Sequence, residues 1–216
     1  MKYEELGKGI VKRTEKRVLG LFIDGTGLDR ATRRINRKVD MTALVRGVTS
    51  GINPVVARYY TLIPYEDDSR QRAFLDAVSR AGLRVVVKRL PPKGVTRQVS
   101  VEVEMAADIV AFALGHSSFS SLSEYTPEGI TPPQFSPRPA SAPETRAPEV
   151  PAPRAAEQRV ITVVCPGRDL AYPISLVKEL GVDTVNADFG QFNSGDILKS
   201  AAKWIDLSDS ETIWRG

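Results

Sequence analysis

The chain has 216 residues, of which 42% are apolar, and a formal net charge of +4 with an isoelectric point of about 9.2. This length suits one compact domain with additional segments. No apolar run approaches the roughly 20 residues that cross a bilayer, the first residues lack a signal-peptide core, and the single cysteine cannot form an internal disulfide. These features argue against a membrane partner and predict a cytoplasmic protein.

The ordered part of the chain is predicted to alternate strands with helices. Strands are predicted at 17–24, 55–62, 83–90, 159–165, 182–187 and, at an edge, 204–207, and helices at 40–51, 67–81, 99–114, 170–180 and 195–203. The strands are apolar and rich in β-branched residues, whereas the helices carry apolar residues at helical spacing. This alternation is typical of βαβ units, so we expect an α/β fold with a mostly parallel sheet of five or six strands and helices on both faces.

The composition divides the chain into five segments. A basic N-terminal segment, 1–17, precedes the first part of the domain, 18–115, and the second part, 159–207, precedes a polar tail, 208–216. The segment between the two parts, 116–158, contains nine of the fifteen prolines and no apolar periodicity. Because such a composition cannot bury enough apolar surface to offset chain entropy, we predict a disordered insertion there.

Carboxylates follow the ends of two predicted strands, where ligands bind in parallel sheets. Asp24 ends the first strand, and Asp169 follows the fourth. On the longest predicted helix, Glu104 and Asp108 share one face, whereas Glu102 lies near the helix start and can turn toward the strand ends. Carboxylates are the ligands that Mg²⁺ and Mn²⁺ prefer, and such ions activate water against phosphodiesters.

Four sequence motifs carry a resemblance to a known family. Phe22-Ile-Asp-Gly-Thr-Gly27 corresponds to the family motif Asp-Gly-x-Asn, and Val101-Glu-Val-Glu-Met-Ala-Ala-Asp108 corresponds to Val-Asp-Val-x-Leu-Ala-x-Asp. Cys165-Pro-Gly-Arg-Asp-Leu170, with Pro173 after it, corresponds to Ser-Gly-Asp-x-Asp-Phe followed by a proline. Ser194 to Leu198 corresponds to Ser-x-x-Leu. On these motifs the chain resembles the LabA-like NYN domain of the PIN-like ribonuclease superfamily, over 18–114 and 159–207.

The resemblance implies a PIN-like, Rossmannoid three-layer fold and metal-dependent hydrolysis of RNA. Asp24, Asp108 and Asp169 would be catalytic, and together with Glu102 they would hold Mg²⁺ or Mn²⁺. Gly167 stands where the family has an acid, and the family's asparagine near Asp24 is also a glycine here. The alternative is therefore a degenerate, non-catalytic NYN domain that binds RNA or a protein partner.

RNA is the partner that the resemblance implies, and the chain has exposed basic candidates to contact the phosphate backbone. These are Arg33, Arg34, Arg37, Lys93 and Arg97. A homodimer, and a protein partner for the proline-rich insertion, are left open.

Other interpretations of the same residues fit less well. Asp24-Gly-Thr also matches part of a haloacid-dehalogenase motif, but Phe22 stands where that chemistry needs a nucleophilic aspartate. His116 is the single histidine, so neither a histidine general base nor a His/Cys zinc site is expected. We predict that Cys165 is a buried small hydrophobe rather than a reactive thiol.

Overall fold

The structure, a computed structural model, describes residues 16–66, 69–119, 124–126, 129–131, 157–192 and 195–215. Its strands are β1 (Lys16–Asp24), β2 (Val56–Ile63), β3 (Arg84–Arg89), β4 (Glu124–Thr126), β5 (Gly129–Thr131), β6 (Glu157–Val164), β7 (Asp183–Asp188) and β8 (Lys203–Asp206). Its α-helices are α1 (Gly25–Ile35), α2 (Met41–Val48), α3 (Ser69–Arg80), α4 (Glu102–Ala113), α5 (Ala171–Glu179) and α6 (Gly195–Ser200). Short 3₁₀ helices span Arg168–Leu170, Gly190–Phe192 and Leu207–Asp209.

The strands form one sheet in the order β5-β4-β3-β2-β1-β6-β7-β8. The six strands from β3 to β8 in this order run parallel, and β4 and β5 add an antiparallel edge. The predicted mostly parallel α/β fold is confirmed, but the predicted count of five or six strands is too low. The two extra strands fall within the segment 116–158, where composition alone indicated no structure, and the rest of that segment lies largely outside the described residues.

Helix α1 was not predicted, because Asp24-Gly-Thr-Gly was interpreted as a loop. That interpretation is wrong, since α1 begins at Gly25, immediately after β1. The Asp24 side chain accepts a hydrogen bond from the Gly27 amide and so satisfies a helix donor that would otherwise lack a partner. Helix α1 ends at Ile35, and the φ of 54° at the next residue, Asn36, lies in the left-handed region that terminates helices.

The central strand β1 sends alternate side chains into two separate cores. Leu21 and Ile23 pack in the core beneath α1, α2 and α3, and Val18 and Phe22 pack in the core beneath α4 and α5. Successive strand residues point to opposite faces, so one apolar run supplies both cores. The result is the expected three-layer arrangement, with a helical layer on each face of the sheet.

The C-terminal segment, for which no element was predicted, closes against the loop that follows α1. The Asp40 amide donates to the Ile213 carbonyl at 2.8 Å, and the Arg215 amide donates to the Lys38 carbonyl at 2.9 Å. Among the described helices, none combines the length and apolarity needed to span a membrane.

Candidate functional site

The candidate site lies at the carboxyl edge of the sheet, between the loops that follow β1 and β6, and we call this position the crevice. The chain runs from β1 outward through β2 to β3, then crosses by way of α4 and continues from β6 outward on the other side. Because neighbouring connections leave β1 and β6 in opposite directions, this position is the topological switch point, where parallel sheets usually bind ligands. Asp24 ends β1, and the turn from Cys165 to Gly167 follows β6.

Asp24 joins the two sides of this crevice through hydrogen bonds from two backbone amides. Its Oδ1 accepts from the Gly27 amide at 2.9 Å, and its Oδ2 accepts from the Gly167 amide at 3.0 Å. The side chain is buried, and this burial raises the pKa of Asp24 despite the lowering effect of the Gly27 amide, with the nearby charge of Glu102 raising it further. Both carboxylate oxygens are thus already engaged with the backbone.

Glu102 occupies the space that a side chain at position 167 would fill. A Cβ on Gly167 would collide with Oε1 of Glu102 and would lie 3.3 Å from Oδ2 of Asp24. Glu102 is held there by Ser100, whose hydroxyl donates to Oε2 of Glu102 at 2.7 Å and accepts from the Glu102 amide at 3.0 Å. Position 167 therefore lies between Asp24 and Glu102, which the sequence predicted to be neighbours.

The neighbouring backbone explains why position 27 is a glycine. A Cβ at Gly27 would collide with the carbonyl oxygen of Cys165, and this clash is with main chain rather than with a movable side chain. Cys165 itself has a φ of 50°, in the left-handed region that side chains rarely adopt. The turn after β6 thus brings a carbonyl to the position that a longer residue at 27 would need.

Asp108 lies in a different environment from Asp24. Its Oδ2 accepts from Arg58 at 2.8 Å and from the Tyr60 hydroxyl at 2.7 Å. The Arg58 side chain is 2% exposed and that of Asp108 is 17% exposed, so this is a largely buried ion pair between α4 and β2. Asp108 therefore neutralises a buried arginine, a partner that the sequence analysis did not identify.

Asp169 lies in the 3₁₀ turn after β6 and is exposed. Of the four predicted ligands, the structure brings Asp24 and Glu102 together and pairs Asp108 with Arg58. Within the described ranges, no group of three or more His, Cys, Asp or Glu side chains is arranged to hold a metal ion.

The predicted phosphate-contacting residues are all exposed and fall in two places. Arg33 and Arg34 lie in the last turn of α1, where Arg33 pairs with Asp29 and Arg34 lies over the Phe192 ring. Arg37 follows α1 and lies 4.1 Å from the centre of the Trp214 ring. Lys93 and Arg97 lie in the connection between β3 and α4, which leads into Glu102.

Sequence reasoning missed Asp188, a third carboxylate at a strand end. It ends β7 and is 7% exposed, and its Oδ1 accepts from the Phe189 amide at 2.7 Å. Burial raises the pKa of Asp188 to about 6, although the amide and the donated hydrogen bond of the Cys165 thiol lower it. Its position after the apolar end of β7 was a usable signal, since Asp24 was found in the same way. Cys165 is buried, as predicted.

Comparison with known proteins agrees with the observed fold. The family model of the NYN domain matches residues 18–120, from β1 to just beyond α4. Residues 18–120 are therefore similar to the NYN domain. A crystal structure of a protein of unknown function from Vibrio parahaemolyticus matches with a TM-score of 0.62 and 10% identity, covering 93% of this chain and 97% of that one, and so shows the fold alone. No curated protein sequence matches the chain.

An NYN domain indicates a nuclease-type, RNA-related function, and NYN nucleases generally use a divalent cation. Among the residues that the structure describes, the side chains form no ready-made site for such an ion. Both carboxylate oxygens of Asp24 accept hydrogen bonds from backbone amides, and Asp108 pairs with Arg58. Gly167 supplies no carboxylate. Hard cations need several oxygen ligands that are free to converge. Metal binding by the four predicted carboxylates stays a prediction, as does the LabA-like subtype.

Proposed function

We propose that this NYN-like domain binds RNA without cleaving it through a divalent cation. The observation that carries the proposal is the engagement of Asp24, whose two oxygens accept the amides of Gly27 and Gly167 at 2.9 and 3.0 Å. A carboxylate held in this way by both sides of the crevice acts as a structural link between α1 and the turn after β6. The backbone amide of Gly167 stands beside Asp24 where the resemblance leads us to expect an acid.

The charge distribution around α1 supports RNA as the ligand. Arg30, Arg33 and Arg34 are exposed on this helix, and Arg37 follows it. Arg34 and Arg37 lie over aromatic rings, 5.4 and 4.1 Å from the ring centres. A guanidinium held over a ring loses less side-chain freedom when it binds a phosphate, which favours binding.

Metal-dependent ribonuclease activity is the second candidate, and one observation favours it. Asp24 and Glu102 both border the space at position 167, so two of the four carboxylates expected to bind the metal lie next to each other. In this alternative the Glu102 side chain would turn to share an Mg²⁺ or Mn²⁺ ion with Asp24.

RNA binding is tested by fluorescence anisotropy with labelled single-stranded RNA over a range of salt concentrations. We expect Arg34→Gln to weaken binding of all sequences and to reduce the salt dependence by roughly one released counterion. Arg80→Gln is the matched control, because Arg80 is also an exposed arginine in the last turn of a helix. Equal effects of the two substitutions, or no RNA binding by the wild type, would contradict the proposal.

A further inference from the structure

A groove of about 720 Å³ lies between α4 and α5. Its lining includes the small side chains of Ala106, Ala107 and Ala111 together with Val103 and Tyr172. Val103 is 69% exposed and Tyr172 is 76% exposed, so large apolar surfaces border the groove and face solvent. Exposed apolar concavities of this kind mark binding sites more often than isolated apolar residues do.

The end of the groove nearest the carboxyl edge is acidic. Glu102 and Asp169 line it together with Ser100, and no lysine or arginine is among the lining residues that the structure describes. Glu102 bonds to Ser100, and Asp169 has no hydrogen bond or ion pair to any described residue. The remaining titratable residues of the described lining are His116, which follows α4, and Tyr172.

This combination restricts the chemistry of the ligand. A phosphate group is repelled by the two carboxylates, whereas a flat apolar ring can pack against the alanine side chains and the Tyr172 ring. The edge of that ring must carry hydrogen-bond donors, because carboxylate oxygens only accept. Guanine meets this requirement best among the common bases, because its N1–H and 2-amino group are adjacent donors that match the two oxygens of one carboxylate.

We propose that this groove binds a guanine base of single-stranded RNA, with N1–H and the 2-amino group donating to the Asp169 carboxylate and the ring stacking on Tyr172. The inference rests on the proposed RNA-binding function and names the base that the site selects. Lys93 and Arg97 lie in the loop that leads into Ser100, so cations for the adjoining phosphates are close in the chain. Base stacking and paired hydrogen bonds of this kind predict about a tenfold preference for a strand with guanosine.

The preference is measured by anisotropy with two labelled oligonucleotides, one of uridines alone and one with a single central guanosine. We expect the wild type to bind the guanosine strand about tenfold more tightly. Asp169→Asn should abolish this preference, so that both strands bind with equal affinity. Asp196→Asn, which changes an exposed carboxylate outside the groove lining, is the matched control and should keep the preference.

The possible failures are separable. Tight and equal binding of both strands by the wild type, or an unchanged preference in Asp169→Asn, overturns the guanine site and leaves RNA binding intact. Absence of binding to either strand overturns the RNA-binding function itself and the guanine site with it. A wild-type dimer that Tyr172→Glu dissociates, with no guanine preference, overturns the guanine site in favour of a subunit interface.

Discussion

Asp188 shows how a single buried carboxylate at a strand end links pH to stability. Burial raises its pKa from 3.8 to about 6, so the folded state holds the proton more tightly than the unfolded state does between these values. Stability is therefore expected to fall as the pH rises from about 4 to about 6 and to remain lower above that range. The cost at neutral pH is about 3 kcal/mol, from 1.36 kcal/mol for each unit by which the pKa is raised.

We predict that Asp188→Asn makes the protein more stable at pH 7, by up to about 3 kcal/mol, and leaves stability near pH 4 little changed. The amide keeps an oxygen that accepts from Phe189, so the local fold is preserved. Urea unfolding at several pH values measures the effect. Asp196→Asn, at an exposed site, is the control, and a pH-independent difference for Asp188→Asn would show that ionisation is not the cause.

The two site glycines differ in how easily the family's residues can be restored. At Gly167 a side chain meets side-chain atoms of Glu102 and Asp24, whereas at Gly27 it meets the backbone carbonyl of Cys165. We predict that Gly167→Asp folds with little loss of stability and gains Mn²⁺ binding, because a third carboxylate would join Asp24 and Glu102. Gly27→Asn should cost about 1–3 kcal/mol, the usual cost of overpacking.

Chemical unfolding and calorimetric titration with Mn²⁺ measure both effects. Gly27→Ala separates the clash from the amide, since it brings the same Cβ. Equal stability losses at the two positions, or no gain of Mn²⁺ binding in Gly167→Asp, would show that the space between Asp24 and Glu102 does not have the described shape.

At the scale of elements, α4 is attached to the sheet by both apolar packing and one ion pair. Met105, Ile109 and Phe112 enter the core, while Asp108 pairs with Arg58 of β2. Arg58 also donates to the Phe119 carbonyl, so the same guanidinium secures the chain that follows α4. Removal of the carboxylate would leave a buried cation without its counter-charge, which is costly in a low-dielectric interior.

We predict that Asp108→Ala lowers the free energy of unfolding by about 3–5 kcal/mol, the cost of breaking a buried pair. Arg58→Met in the same chain should recover part of that loss, because no charge then remains unpaired. A double-mutant cycle measured by urea unfolding gives the coupling energy. If the stability losses of the two single variants simply add, Asp108 and Arg58 do not stabilise each other. Asp108 would then again be a candidate metal ligand.

Local patterns predicted most elements but not their long-range partners. Apolar runs identified β1, β2, β3, β6 and β7, and helical spacing identified α3 and α4. Helix α1 was missed because Gly25 and Gly27 weaken the helical signal, and the Asp24 cap that compensates for them requires a known backbone geometry. The proximity of Asp24 to Glu102 followed from the fold class, whereas the pairing of Arg58 with Asp108, 50 residues apart, has no local signature.

For the whole molecule, the two faces of the sheet serve different purposes. The face with α1 also receives the C-terminal segment, where Phe189 and Trp214 pack together and Arg37 lies over the Trp214 ring. The opposite face carries α4 and α5 with the apolar groove between them. The crevice at the carboxyl edge lies between these layers, so the basic surface of α1 and the groove flank Asp24 from opposite faces of the sheet.

The most direct test of RNA binding without metal-dependent cleavage is one labelled single-stranded RNA incubated with the wild type in EDTA and in Mn²⁺. Anisotropy gives the affinity, and a denaturing gel gives the RNA length. We predict full-length RNA and the same affinity in both conditions. Mn²⁺-dependent shortening of the RNA that Asp24→Asn abolishes would contradict the account, because it would show that Asp24 still holds a catalytic cation.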